Sequence, residues 1–162
     1  MTAIVNVDRN WAIGRRNGLL FRIPADMARF KAITMGHVLL MGRRTFESLP
    51  GLLPDRAHVV LTRDAAFTHE GVTVCHSLEE GIAAAHALGE VFVIGGGEVY
   101  AALLCHCNTA LVTQVDATAP AADAFFPNLD EHPDWRLAHA EDWLESAGLR
   151  LRFCECKKIT KL

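Results

Sequence analysis

The hydrophobic residues of this chain fall into short runs that polar or glycine-containing segments separate. Most runs are rich in β-branched side chains and do not alternate cleanly with polar residues, which is typical of strands buried on both faces of a sheet. The pattern predicts strands over Thr2–Val7, His37–Met41, Ala57–Leu61, Val72–Cys75, Val91–Ile94, Thr109–Val115 and Leu149–Ile159, with Trp135–Glu141 as a hairpin partner of the last one.

Segments with helical signals lie between these strands. Pro24 suits a first helical position because its missing N–H would be unpaired there anyway. Ser77 with Glu80 three residues later is a capping box, and Gly89 supplies a helix stop. The predicted helices are Pro24 to about Ile33, Arg43–Leu49, the alanine-rich stretch from Ser77 through Leu88, and Glu98–Leu104, while Ile13 to Phe21 and Thr118–Ala124 are expected to be loops.

Strands that alternate with helices predict an α/β fold with a mostly parallel central β-sheet. A chain of 162 residues with 51% hydrophobic content suits one domain with one sizeable core, which we expect to span residues 1–162. We expect about four helices to cover both faces of the sheet, and the C-terminal hairpin to add an antiparallel edge strand.

The overall charge and the chain's N-terminal residues narrow the function classes. A formal net charge of −3 provides no general basic field, which argues against non-specific nucleic-acid binding. The first residues lack the basic region and apolar run of a signal peptide, and no segment approaches membrane-spanning length. We therefore expect a soluble cytoplasmic protein that binds neither membrane nor nucleic acid.

Five cysteines are an odd count, so reduced thiols are the expectation. Cys105 and Cys107 flank a histidine, and Cys154 and Cys156 flank a glutamate, but neither pair has the usual spacer of a zinc site. We expect no metal. Cys154 and Cys156 are better explained as small core residues on one face of a strand.

The distinctive polar and glycine residues follow predicted strands, at the sheet edge where α/β proteins bind ligands. Gly95, Gly96 and Gly97 between a strand and a helix would let the backbone approach a pyrophosphate closely. They do not form the G-x-G-x-x-G fingerprint, so a standard Rossmann domain is not supported, and a simple packing turn is the alternative.

Arginines at two adjacent strand ends indicate a phosphate site. Arg43 and Arg44 at a helix start oppose the helix dipole unless an anion lies between them and the helix N–H groups. Arg63 could join them, and His76 is a further candidate contact. A solvated basic rim is the alternative, but the pattern favours a nucleotide with an extra monophosphate, which means NADPH over NADH.

Asp26 and Arg56 are candidate substrate contacts. Asp26 falls in the first turn of a helix, beside Met27 and one turn before Phe30, and both of these apolar side chains are expected to point inward. The carboxylate could be a solvated first-turn acid or a group that grips a cationic or N–H-rich ligand. Arg56, planar and always charged, suits bidentate pairing with a substrate carboxylate.

In order and spacing, these residues resemble the dihydrofolate reductases of the bacterial chromosomal type over nearly the whole chain. The residues that carry the resemblance are Ile13-Gly14, Ile23-Pro24-Ala25-Asp26, Phe30-Lys31, Met41-Gly42-Arg43 with Thr45, Leu53-Pro54 with Arg56, Val93-Ile94-Gly95-Gly96-Gly97, Tyr100, Thr113 and Phe126-Pro127.

The resemblance implies NADPH-dependent reduction of 7,8-dihydrofolate to tetrahydrofolate, for one-carbon metabolism. Asp26 would bind the pterin, Thr113 would support its carboxylate, and Arg56 would pair with the substrate's glutamate. The implied substrate-binding residues are Ile4, Val5, Asp26, Met27, Phe30, Lys31, Ser48, Leu49, Leu53, Arg56, Ile94 and Thr113.

The same resemblance implies that NADPH lies along the glycine loop and the arginines. The implied cofactor-binding residues are Asn6, Ile13, Gly14, Asn17, Gly18, Leu19, Gly42, Arg43, Arg44, Thr45, Leu61, Thr62, Arg63, His76, Gly95, Gly96, Gly97, Glu98, Val99 and Tyr100. The residues that it places at the reaction itself are Asp26, Leu19, Phe21, Tyr100 and Thr113.

Hydride would pass from the nicotinamide to the pterin, and water under the Leu19 loop would supply the proton while Asp26 acts electrostatically. Opening of the loop would gate product release. The chain departs from the family in three places: Leu20-Phe21 replaces the usual Pro-Trp, Glu98 replaces a frequent basic residue beside the cofactor, and Gly51 lacks a cation sometimes present at the glutamate end.

Two alternatives are a reductase of the same fold that acts on a ribosylated pyrimidine in riboflavin synthesis, and a non-catalytic NADPH-binding protein. The Ile-Pro-Ala-Asp sequence that ends at Asp26, together with Arg56, argues against the pyrimidine reductase. Only the changes at Leu20 and Phe21 favour a non-catalytic binding protein. The resemblance also implies a monomer that antifolate inhibitors bind.

Overall fold

A computed structural model describes residues 1–160 of the chain. The helices and strands in chain order are β1 (Thr2–Val7), β2 (Ala12–Arg15), β3 (Gly18–Leu19), α1 (Pro24–Thr34), β4 (Val38–Gly42), α2 (Arg43–Ser48), β5 (Ala57–Leu61), β6 (Val72–Cys75), α3 (Leu78–Leu88), β7 (Val91–Gly95), α4 (Gly97–Leu103), β8 (Thr109–Val115), β9 (Ala124–Phe125), β10 (Trp135–Ala140), β11 (Leu144–Ser146) and β12 (Leu149–Lys158).

The central sheet has the strand order β10-β12-β8-β1-β7-β4-β5-β6, and β11 pairs with β12. Neighbouring strands from β8 to β6 are parallel, whereas β12 pairs antiparallel with β8, β10 and β11. The predicted α/β fold with a parallel centre and an antiparallel C-terminal edge is therefore confirmed.

The sheet separates two apolar clusters, which explains why its strands do not alternate. Val59 belongs to the larger cluster and Val60, the next residue of β5, belongs to the cluster on the other side. Because successive strand side chains point to opposite faces, both faces of β5 are buried.

Cys154 and Cys156 lie together in the larger core cluster, as the sequence indicated. Their side chains are two residues apart on β12, so they share one face of the sheet. Burial raises the pKa of Cys156 to about 11, which keeps the thiol protonated and unreactive at neutral pH.

A small sheet, in the order β3-β2-β9, forms where the sequence predicted loops. Its strands are short and carry no hydrophobic run, so no local pattern identifies them. The pairing between β2 and β9 joins segments that are far apart in sequence, with Ala12 opposite Phe125 and Gly14 opposite Ala124. Tertiary pairing, not local propensity, makes these strands.

The buried carboxylate of Asp8 holds the base of this small sheet. One oxygen accepts hydrogen bonds from the backbone N–H groups of Asn10 (2.8 Å) and Ala12 (2.9 Å). The other oxygen accepts from the backbone N–H of Ala119 at 2.8 Å. The turn after β1 is thereby attached to the segment that precedes β9.

Helix α1 begins at Pro24 as predicted and extends to Thr34. Phe30 and Ile33 pack against the smaller core cluster, in line with Asp26 on one helical face. Met27 is 50% exposed, so the expectation that its side chain points inward is wrong. Met27 lies about 100° around the helix from Asp26, so its side chain is outside the helical face that Asp26, Phe30 and Ile33 share.

Candidate functional site

A cavity of about 1320 Å³ opens at the carboxyl ends of β4, β5 and β7. All of the predicted cofactor-binding residues lie on its wall: Asn6, Ile13, Gly14, Asn17, Gly18, Leu19, Gly42, Arg43, Arg44, Thr45, Leu61, Thr62, Arg63, His76, Gly95, Gly96, Gly97, Glu98, Val99 and Tyr100. Of the predicted substrate contacts, Val5, Ser48 and Ile94 also line it.

The glycine loop forms one end of this wall, where β7 passes into α4. Gly95 has φ +124°, a conformation that a residue with a side chain rarely adopts. A Cβ on Gly42 would lie 3.1 Å from the Val99 side chain, and one on Gly97 would lie 3.2 Å from the Phe125 carbonyl oxygen. Close contact between β4, α4 and β9 therefore requires glycine at these positions.

Arg43 is compensated by carboxylates of the protein itself. Its Nε donates to Glu47 Oε1 at 2.5 Å, and its Nη1 donates to Asp64 Oδ2 at 2.8 Å. These partners raise the pKa of Arg43, and the backbone N–H of Ala66 together with Arg43 lowers the pKa of Asp64. The position of Arg43 at the start of α2 therefore does not by itself indicate a bound phosphate.

Arg44 and Arg63, in contrast, form no ion pair or hydrogen bond within residues 1–160 that would offset their charge. Both side chains are exposed on the cavity wall. His76 lies on the same wall, and its Nδ1–H donates to the Thr62 carbonyl at 2.9 Å. Two uncompensated guanidinium groups and an imidazole thus line this end of the cavity.

Asp26 is held by two side chains from neighbouring strands. Thr113 Oγ1 donates to its Oδ1 at 2.5 Å, and Asn6 Nδ2 donates to its Oδ2 at 3.0 Å. Asn6 and Thr113 are paired across β1 and β8, so both side chains reach the same face of the sheet. The carboxylate is fixed, and each oxygen keeps further capacity to accept a hydrogen bond.

The contact between Asn6 and Asp26 was not predicted, because the sequence reasoning assigned Asn6 to the cofactor alone. The one available signal is an amide side chain in the otherwise apolar run of β1. A buried or half-buried amide needs a partner, but the sequence does not say which one.

Tyr100 joins α4 to β1 beneath the glycine loop. Its hydroxyl donates to the Ile4 carbonyl at 2.6 Å, and its side chain is only 4% exposed. Burial raises the pKa of Tyr100 strongly, so the phenol remains a neutral donor. The Ile4 carbonyl retains a second lone pair for a ligand.

Arg56 is positioned by neutral oxygens. Its Nε donates to the Pro54 carbonyl at 3.1 Å, and its Nη1 donates to Thr34 Oγ1 at 3.2 Å. Burial lowers the pKa of Arg56, partly offset by the charge of Asp55, which makes no hydrogen bond to it. The guanidinium is therefore oriented while its charge is available to an anionic ligand.

Apolar side chains connect the Asp26 region to the Arg56 region. Five of the predicted substrate contacts, Ile4, Phe30, Leu49, Leu53 and Ile94, belong to the smaller core cluster. Met27 and Lys31 are exposed and lie outside that cluster. Within residues 1–160, the Lys31 side chain forms no ion pair with another predicted site residue.

Leu19 and Phe21, on the predicted mobile loop, lie in different surroundings. Leu19 is 62% exposed and lines the cavity. Phe21 is half-buried against the cluster of Ile23, Val115, Leu151 and Phe153, and it is not on the cavity wall. Leu19 is therefore at the cavity surface, whereas Phe21 is packed against a core cluster.

Several wall residues were missed by the sequence reasoning, including Arg15, Asp64, Ser77, Asp123 and Phe125. Asp123 accepts from the Arg16 backbone N–H at 3.0 Å, and its own backbone N–H donates to the Gly14 carbonyl. These contacts depend on the pairing of β2 with β9, for which the sequence carries no local signal.

Within residues 1–160, no group of three or more His, Cys, Asp or Glu side chains has the arrangement of a metal site. Over the same residues, none of the helices has the length and apolar content needed to span a bilayer.

Comparisons with known proteins agree with one another. A family model described as dihydrofolate reductase matches residues 1–158. Dihydrofolate reductase of Mycobacterium tuberculosis (strain ATCC 25618 / H37Rv) is 45% identical over 145 residues, which is 86% of each chain. The Bacillus subtilis (strain 168) enzyme is 36% identical over 138 residues, covering 85% of this chain and 81% of the relative.

Among solved structures, dihydrofolate reductase from Enterococcus faecalis, complexed with NADP(H) and RAB-propyl, superimposes with a TM-score of 0.87. It is 30% identical in sequence, and the match covers 97% of this chain and 95% of that chain. The similarity therefore extends over the sheet, the helices and the cavity together.

Proposed function

Because this chain belongs to the dihydrofolate reductase family, we propose that its cavity holds NADPH along the glycine loop and that Asp26 binds the pterin of dihydrofolate. The chain is an NADPH-dependent oxidoreductase that reduces 7,8-dihydrofolate to tetrahydrofolate. The observation that carries the assignment of the site is the Asp26 carboxylate, which is fixed by Thr113 and by Asn6, and Asn6 lies on the wall of the cavity of about 1320 Å³.

The residues on the cavity wall fit NADPH. Arg44 and Arg63 supply positive charge that no carboxylate within residues 1–160 offsets, which suits the ribose monophosphate. The glycine loop exposes backbone N–H groups where a pyrophosphate would approach. When bound, NADPH supplies the hydride for the reaction. Asn6, Ile13 and Leu19 on the opposite part of the wall would border the nicotinamide.

The substrate would lie between Asp26 and Arg56. Asp26 would accept hydrogen bonds from the pterin's amino and ring N–H groups with the lone pairs that Asn6 and Thr113 leave free. The apolar side chains of Phe30, Leu49 and Leu53 would contact the benzoyl group. Arg56, oriented by neutral oxygens, would pair with the glutamate carboxylate.

In the reaction, Asp26 would fix the pterin and raise the basicity of its imine nitrogen through its negative charge. Water under the Leu19 loop would deliver the proton to that nitrogen. Since Leu19 lines the cavity and is largely exposed, movement of this segment would control access of solvent.

The test is a spectrophotometric assay of NADPH oxidation by the purified chain, with and without dihydrofolate. Substrate-dependent loss of NADPH absorbance is expected, together with formation of tetrahydrofolate. Turnover of a ribosylated pyrimidine in place of dihydrofolate would favour the riboflavin-pathway reductase, and NADPH binding without turnover of either substrate would favour a binding protein.

We also propose that the enzyme works as a cytoplasmic monomer and that antifolates compete for the Asp26 region. Light scattering coupled to size-exclusion chromatography should give the mass of one chain, 17.8 kDa. A diaminopyrimidine inhibitor should lose affinity in Asp26→Asn, and unchanged affinity would contradict the shared position.

A further inference from the structure

The turn between α2 and β5 contains two of the proposed substrate contacts, Leu53 and Arg56. It lies outside the helices and strands, and Asp55 within it has φ +60°, an uncommon conformation for a residue with a side chain. The Gly36 backbone N–H donates to the Asp55 carbonyl at 2.8 Å. Such a turn keeps its shape only if the surrounding groups hold it.

A buried imidazole, His58, supplies two of the bonds that hold this turn. Its side chain is 3% exposed, and its ring lies edge-on to Phe46 with the ring centroids 6.4 Å apart. The Leu53 backbone N–H donates to Nε2 at 3.1 Å, and Nδ1 is 3.1 Å from the Arg56 carbonyl oxygen. One ring therefore bridges the two ends of the turn.

The partners of His58 determine its tautomer. A backbone N–H can only donate, so Nε2 must be the acceptor and carry no proton. A carbonyl can only accept, so Nδ1 must carry the proton and donate. Burial lowers the pKa of His58, which favours the neutral ring that both bonds require.

We propose that His58, as the neutral Nδ1–H tautomer, is a positioning residue that sets the distance and orientation between Leu53 and Arg56 for the benzoyl-glutamate end of the substrate. This proposal rests on the proposed roles of Leu53 and Arg56. His58 itself does not contact the substrate. Its effect is on recognition of the glutamate and not on hydride transfer.

The experiment compares dihydrofolate with dihydropteroate, which has the same pterin and benzoyl groups but no glutamate. For His58→Ala we expect the KM for dihydrofolate to rise about 10-fold, because two hydrogen bonds to the turn are lost. The kcat should stay within about twofold, and the KM for dihydropteroate should change much less. Equal losses for the two substrates, or a loss confined to kcat, would overturn the proposal.

Two conservative variants separate the two bonds and protect the test against misfolding of the alanine variant. A glutamine carbonyl can reach the Nε2 position, so His58→Gln should keep the Leu53 bond. An asparagine amide lies at the Nδ1 position, so His58→Asn should keep the Arg56 bond. Each should recover part of the selectivity for dihydrofolate, and no recovery by either would overturn the bridging role.

Val59→Ala is the matched control, because Val59 is the next residue of β5 and faces the other core cluster. It should lower the free energy of unfolding without altering the ratio of the KM values for the two substrates. A change in that ratio would show that general loosening of β5 explains the His58 result, and would overturn the proposal.

Arg56→Ala distinguishes failure of the proposed function from failure of this inference. If wild-type enzyme does not reduce dihydrofolate, the proposed function fails before any variant is compared. If Arg56→Ala lowers the preference for dihydrofolate, adding His58→Ala should lower it little further. Additive losses in the double variant would overturn the idea that His58 acts through Arg56. Long-range ¹⁵N correlation spectra should show a protonated Nδ1 on His58, and a protonated Nε2 would also overturn it.

Discussion

Arg43, at the proposed cofactor end of the site, and Arg56, at the proposed substrate end, are held in place by different kinds of partner. Arg43 bonds to two carboxylates, Glu47 and Asp64, whereas Arg56 bonds to a hydroxyl and a carbonyl. Carboxylates fix a guanidinium and offset its charge, while neutral oxygens fix it and leave the charge available. The substrate end is therefore prepared for an anion, and the cofactor end depends on Arg44 and Arg63.

Asp26 shows the same arrangement with the opposite sign. It is held by the Asn6 amide and the Thr113 hydroxyl, which are both neutral donors. At the substrate end, the structure thus orients one negative and one positive group without neutralising either. The following four predictions test this difference between the two ends of the site.

The largest effect is expected for Asp26→Asn. The substitution keeps the shape but removes the charge that the neutral partners leave available, so turnover at neutral pH should fall by on the order of 100-fold or more. Steady-state kinetics gives the loss, and a thermal unfolding midpoint near that of wild type controls for folding. Turnover within a few-fold of wild type would contradict the role.

The next effect is expected for Arg56→Ala, which should raise the KM for dihydrofolate about 10- to 100-fold through loss of charge-assisted hydrogen bonds. Dihydropteroate should be affected little. Arg56→Lys is the matched control, since it keeps the charge but loses the planar guanidinium. Its KM for dihydrofolate should lie between those of wild type and Arg56→Ala. If both substrates lose equally, Arg56 does not bind the glutamate.

A smaller effect is expected for Arg44→Ala and Arg63→Ala. Each should weaken NADPH binding about 10-fold, with little change for NADH, because their uncompensated charges would face the additional phosphate. Fluorescence titration with both cofactors measures the difference. Equal weakening for NADPH and NADH would remove the assignment of the phosphate.

The smallest effect is expected for Asp64→Asn, which removes a carboxylate from the cavity wall and frees part of the charge of Arg43. NADPH binding should tighten about 2- to 5-fold, and the gain should shrink as salt is added. Glu47→Gln, which alters the other partner of Arg43, gives the comparison. Weaker binding in Asp64→Asn would mean that Asp64 contributes by orienting Arg43.

The sequence was sufficient for the central sheet because β4, β5 and β7 carry apolar side chains on both faces. Glycine or arginine follows β4 and β7 directly, and Arg63 follows β5 after Thr62. The same local signals led to the proposed phosphate site at Arg44 and Arg63, which the cofactor titrations test. Side-chain partners could not be predicted in the same way. Asp64 follows Arg43 by a full strand and loop, and nothing near either residue shows that their charges meet.

The contacts that loop residues make could not be predicted from the sequence either. The pairing of β2 with β9 brings Asp123 next to Arg16, across more than a hundred residues of intervening chain, and neither segment has a strand pattern. His58 was read only as part of a hydrophobic run. Its bonds to Leu53 and Arg56 depend on the path of a turn whose left-handed Asp55 the sequence does not reveal.

The buried carboxylate of Asp8 limits which part of the cavity-lining segment, residues 13–19, can move. The Asp8 carboxylate accepts hydrogen bonds from the backbone N–H groups of Ala12 and Ala119. The start of the segment is therefore held in place, whereas Leu19 at its other end is not held by Asp8. The next positions with positive φ are Arg16 (φ 49°) and Asn17 (φ 64°), where the chain reverses between β2 and β3. If this segment moves to open the cavity, we expect the movement to begin at this reversal and to carry Gly18 and Leu19, while the residues up to Ala12 stay in place.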